Sequence, residues 1–98
     1  MKVARAAELS AGAGKLIEVA GRQIALFQVE GRYFALDNEC THSGGPLSEG
    51  MIQGAEVECP WHSGRFNLET GQATQAPPLR PVACYPVRRQ GDDIEVEI

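Results

Sequence analysis

Lys15 to Asn38 reads KLIEVAGRQIALFQVEGRYFALDN. Three runs rich in β-branched, aliphatic and aromatic residues are separated by Gly21 and by Glu30-Gly31. Short runs of this kind bounded by glycine turns predict antiparallel strands, with a tight hairpin at Glu30-Gly31. The same punctuation continues outward. AEVEC follows Gly54, GRFNLE precedes the Thr70-Gly71 turn, and YPVRR faces DIEVEI across Gln90 to Asp92. In the last run Ile94, Val96 and Ile98 alternate with Asp93, Glu95 and Glu97, the period-two pattern of a half-buried strand. Only Ala4 to Leu9 has helical propensity, and it is too short to stand alone. Many short strands at close spacing predict an all-β chain built as a small antiparallel sandwich or barrel.

Size and charge narrow the function classes. At 98 residues the chain holds one domain. A net charge of −4, with no cluster of Lys and Arg, argues against nucleic acid as a partner. The longest uninterrupted apolar run, Ile24 to Phe27, is far too short to span a bilayer, so no membrane association is expected. Glu8 and two glycines break up the opening MKVARAAELSAGAGK, which therefore lacks a signal-peptide apolar region. A cytoplasmic location is expected. GAGK at Gly12 to Lys15 has neither the spacing nor the following helix of a phosphate-binding loop and reads as a turn. Three cysteines, an odd number, do not make a disulfide framework, and in a reducing compartment metal binding is their expected use.

From Cys40 to about Pro78 the strands shorten. Three segments rich in Gly, Ser and Pro appear: THSGGPLSEG, CPWHSG and QAPPLRP. Cys40 and His42 straddle one residue; after sixteen intervening residues comes Cys59, and Pro60-Trp61 separate it from His62. These are the only two histidines in the chain, and each stands within three residues of a cysteine. Thiolate and imidazole are both metal ligands, and two loops offering one of each suit a single shared site. A zinc centre pairs like ligands more often, with two Cys in one knuckle and two His on a helix. A two-iron cluster explains mixed loops better, each loop sending one ligand to each iron. A Cys–His nucleophilic enzyme finds no third group to orient the base.

CTH with CPWH at this spacing resembles the Rieske [2Fe–2S] proteins, strongly over Asn38 to Gly71 and loosely over the whole chain. The resemblance implies that Cys40 and Cys59 bind one iron of a [2Fe–2S] cluster, and His42 and His62 the other. It implies an all-β fold in which a cluster-binding subdomain, about residues 38–78, is inserted into a base formed by 1–37 and 79–98. Pro77 and Pro78 then fall in a proline loop over the cluster. The respiratory and photosynthetic branch has a further cysteine in each ligand loop, joined as a disulfide; the matching positions here are Gly45 and Trp61. Its serine and tyrosine, whose hydroxyls bond to cluster and ligand sulfur, correspond to Gly64 and Phe66. With those donors missing, a potential on the order of −150 mV is expected.

Those departures are similar to the soluble ferredoxins of bacterial aromatic-ring oxygenase systems. The resemblance implies a non-enzymatic electron carrier with two partners, a flavoprotein reductase and a terminal oxygenase, and a monomer that docks each in turn. The alternative is a small Rieske-type subunit of an assimilatory nitrite reductase, and behind it a zinc-stabilised interaction module. Gly44, Gly45 and Pro46 are expected to keep the rim low. Arg65 is a candidate for steering an acidic partner, with a solvated strand-edge charge as the plainer reading; Trp61 is expected to pack under or beside the loop, and Cys84 to be a structural thiol.

Overall fold

The computed structural model describes residues 2–41, 44–61, 64–75 and 80–97. Its layering is decided on one strand. Ile24, Ala25, Leu26 and Phe27 are all fully buried, and they lie at the centre of β3 (Arg22–Val29). Successive side chains of a strand point to opposite faces. Ile24 and Leu26 join a cluster with Ala4, Ile17, Val19, Ala35, Ile94 and Val96, while Ala25 and Phe27 join Leu36, Leu47, Val57, Phe66 and Leu68. A strand covered on both faces needs no polar alternation, which is why this run is uninterrupted.

The sheet containing β3 is therefore the middle layer. It has the order β2 (Gly14–Val19), β3, β4 (Arg32–Asp37) and β9 (Cys84–Tyr85). On one side lies β1 (Lys2–Arg5), β11 (Asp93–Val96) and β10 (Val87–Gln90), in that order. On the other is a sheet of three-residue strands: β5 (Met51–Gln53), β6 (Glu56–Glu58), β7 (Arg65–Asn67) and β8 (Ala73–Gln75). All named strand pairs are antiparallel. The fold is all-β.

Both hairpins of the middle sheet have two-residue turns, with Val19 opposite Arg22 and Val29 opposite Arg32. Ala20 and Gly21 have φ of 52° and 79°, and Glu30 and Gly31 have 51° and 80°. Positive φ at both positions matches the right-handed twist of the strands, but an ordinary side chain there costs roughly 1–2 kcal/mol. Glu30→Asn is expected to stabilise the protein by about 0.5–1 kcal/mol, since Asn enters this region more readily. A raised urea midpoint at unchanged slope checks it; an unchanged or lowered midpoint refutes it.

Ile94 and Val96 are fully buried, as their alternation predicts; Ile98 lies outside the described residues. Ala4 to Leu9 contributes one 3₁₀ turn, Ala6–Glu8, with the Arg5 N–H donating to Glu8 Oε1 at 2.8 Å. β1, β5, β8 and β9 are two to four residues long and carry too little periodicity to be read from sequence.

Candidate metal centre

Two loops meet at the edge of the middle and short-stranded layers. The first leaves β4 at Asn38, a buried polar residue. Its N–H donates to the Gln23 carbonyl at 3.0 Å, its carbonyl accepts from the Leu47 N–H at 2.7 Å, and its Oδ1 accepts from the Ser48 N–H at 2.9 Å. One residue thus ties the start of the loop to its end, with its N–H, its C=O and its side-chain Oδ1 all satisfied where burial would otherwise make them costly. Sequence reading missed this residue; an Asn closing a strand before a Gly/Pro-rich loop was the available signal. Glu39 bridges to Pro46 inside that clamp. The Cys40 N–H then donates to the Gly45 carbonyl at 3.0 Å, and the Gly44 N–H to the Cys40 carbonyl at 2.8 Å. Gly44 has φ of 75°, which allows the chain to turn back.

The second loop leaves β6 and is closed in the same way. The Cys59 N–H donates to the Gly64 carbonyl at 2.6 Å, so each cysteine bonds to a glycine five residues further on. Cys40 and Cys59 are 2% and 1% exposed and belong to one buried cluster. No disulfide joins the three cysteines. A Cβ built on Gly45 would stand 2.7 Å from Cys59 Sγ. The first loop therefore approaches the second thiol as closely as a bare Cα permits. Thr41 Oγ1 donates to the Arg80 carbonyl at 2.8 Å, which ties the first loop to the segment after residue 79. His42, His62, Ser63, Pro77 and Pro78 lie outside the described residues.

Two thiols held in one apolar cluster, each on a loop pinned at its base, fit thiolate ligation of a metal centre. Residues 1–86 match the Rieske [2Fe–2S] domain. The chain belongs to the Rieske [2Fe–2S] domain family. It is 40% identical to the ferredoxin component of a naphthalene 1,2-dioxygenase system from Pseudomonas aeruginosa, over 84% of this chain and 79% of that one. Its fold matches the ferredoxin of carbazole 1,9a-dioxygenase from Nocardioides aromaticivorans IC177 with a TM-score of 0.94 and 32% identity, covering 98% and 94% of the two chains. A TM-score of 0.92 at 30% identity, covering 99% and 100%, relates it to a chain in the complex of reduced oxygenase and oxidised ferredoxin of carbazole 1,9a-dioxygenase. This Rieske protein is an electron-transfer component of the ferredoxin type, with a [2Fe–2S] cluster as its cofactor.

Around the Rieske loops several expectations change. Arg65 is spent largely on internal pairing: its side chain is 29% exposed and its guanidinium pairs with Glu58 at 3.3 Å and Glu56 at 3.9 Å. The register of β6 and β7, which sets Glu58 opposite Arg65, makes that pairing. Cys84 is exposed on β9 opposite Leu36, so it is not a thiol of the core. Trp61 is 59% exposed, resting beside the first loop instead of under the second. Phe66 is fully buried in the cluster that holds Cys40 and Cys59 and brings no hydroxyl there.

Behind the first loop, Tyr85 Oη donates to Asp37 Oδ1 at 2.6 Å and accepts from Arg22 Nη1 at 3.2 Å. Burial, and next the bond to Asp37, push the phenol above its ordinary pKa, with Arg22 acting the other way. The bond fastens β9 to the end of β4, one residue before the Asn38 clamp. No helix among the described residues is long and apolar enough to cross a membrane.

Proposed function

We infer that Cys40 and Cys59 ligate one iron and His42 and His62 the other. On this reading the chain passes single electrons from a flavoprotein reductase to the terminal oxygenase of an aromatic-ring dioxygenase system. The observation that carries it is the matched closure of the two loops, Cys40 N–H onto Gly45 and Cys59 N–H onto Gly64, with both thiols buried together. The cluster-binding subdomain is residues 38–78, on a base of 1–37 and 79–98. The sheet β5 to β8 falls wholly within that interval, and the other two sheets wholly outside it. A bound Rieske cluster supplies one-electron chemistry.

The chain's own residues prepare that chemistry. Leu47, Val57, Phe66 and Leu68, all buried, keep water from the thiol side. Gly64 and Phe66 offer no hydroxyl, so charge added on reduction lacks those two stabilising donors. A potential on the order of −150 mV is expected, and a titration midpoint above about 0 mV would refute the hydroxyl argument. The oxygenase partner is supported by the names of the relatives, which are components of dioxygenase systems. The carrier works in the cytoplasm as a monomer.

Anaerobic purification with iron, sulfide and zinc analysis, then EPR after reduction, tests the ligand set. Zinc without sulfide, or a signal typical of all-cysteine ligation, sinks it. Reconstitution with a flavoprotein reductase and an aromatic-ring oxygenase tests the role: substrate oxidation is expected to depend on this chain. Co-purification with a sirohaem subunit would favour the nitrite reductase alternative instead.

A further inference from the structure

The atoms nearest the space above position 45 belong to the other ligand loop. The three heavy atoms nearest a Cβ built there are Cys59 Sγ at 2.7 Å, Trp61 Cγ at 3.1 Å and Trp61 Cδ2 at 3.2 Å. Any side chain at 45 would displace the thiol, the indole or both. Trp61 is otherwise poorly placed for a packing residue. At 59% exposed it has the largest side chain of the described exposed hydrophobics, Leu16, Met51 and Trp61, whereas a Trp kept for core stability hides most of its ring.

We propose that Trp61 is a positioning residue: its indole clasps the bare Cα of Gly45 and locks the two ligand loops at the separation the cluster needs. The pairing works because the two sides are complementary. Glycine removes the only group that would hold the loops apart, and the flat ring covers the gap beside Cys59 Sγ against water and chelators. Each loop also has its own anchors, Asn38 and the Cys40–Gly45 bond for one, the Cys59–Gly64 bond for the other. Without the clasp each loop stays closed on itself and in the shared apolar cluster, but the ring no longer covers Gly45 and Cys59 Sγ where the loops share a metal. This inference rests on Cys59 being a ligand.

The test is the rate at which the visible absorbance of the holoprotein bleaches under excess chelator. Trp61→Ala is expected to bleach about 10-fold faster or more, the scale typical of losing an outer-shell support. Trp61→Phe, which keeps a ring over Gly45, restores most of the retention. Far-UV circular dichroism is expected to match the parent in both.

Trp61→Ala bleaching at the parent rate would overturn the clasp. Trp61→Phe behaving like Trp61→Ala would do the same. Cys59→Ala separates this from the ligand reading. A cluster surviving in Cys59→Ala defeats the ligand assignment, whereas its loss there with parent-like bleaching in Trp61→Ala defeats the clasp alone.

Discussion

Serine in place of Cys40 or Cys59 yields protein with almost no visible absorbance and almost no bound iron or sulfide. Changes one shell away from a metal already cost about 10–100-fold in affinity, and removing a thiolate ligand costs more. The effect is local because each cysteine is held by its backbone: the Cys40 and Cys59 N–H bonds to Gly45 and Gly64 survive the substitution. Alanine at His42 or His62 is expected to do the same, since the second iron then lacks a ligand. Cys84 is the internal control. It is exposed on β9, and Cys84→Ser is expected to keep full cluster content. Iron and sulfide analysis with a visible spectrum measures all five variants. Full occupancy and an unchanged spectrum in Cys40→Ser or Cys59→Ser would end the ligand assignment.

Phe27→Ala is expected to be the most damaging change away from the loops. Phe27 is fully buried in the middle sheet and faces the layer that carries both thiols. Emptying such a site costs about 3–5 kcal/mol, against a total stability of about 5–15 kcal/mol for a domain. A fall in Tm of roughly 12 °C or more follows, at about 4 °C or more per kcal/mol for a chain near this size. Cluster retention falls with it, because Cys40 and Cys59 share that apolar cluster. Leu16, on the neighbouring strand but 49% exposed, gives the contrast: Leu16→Ala is expected to stay within about 0.5 kcal/mol. Equal Tm losses in the two variants would mean that β3 is not buried on its second face.

Much of this was legible in the residues. Glycine at 21 and 31 announces the two hairpins because only a few residue types enter positive φ without strain. Ile94 and Val96 announce a strand because period two is a property of the backbone itself. The pairs Cys40 with His42 and Cys59 with His62, on which the proposed ligand set rests, are equally local, since residue type and spacing survive whatever the rest of the chain does. The pairing of Arg65 was not legible, for the opposite reason. Whether a charge steers a partner or is neutralised internally depends on the strand beside it, and here that strand carries Glu56 and Glu58. Cys84 failed likewise: a two-residue strand paired with β4 has no periodicity to say which way its thiol points.

The sequence by itself thus determined the all-β class, the hairpins of the middle sheet and membership of the Rieske family, because each is written within a few neighbouring residues. Only the tertiary structure decided the rest: that β3 is buried on both faces, that Asn38 ties both ends of the first loop, and that Gly45 lies bare against Cys59 and Trp61. These depend on which distant segments are brought into contact. A glycine's missing side chain acquires meaning only when something else occupies its place.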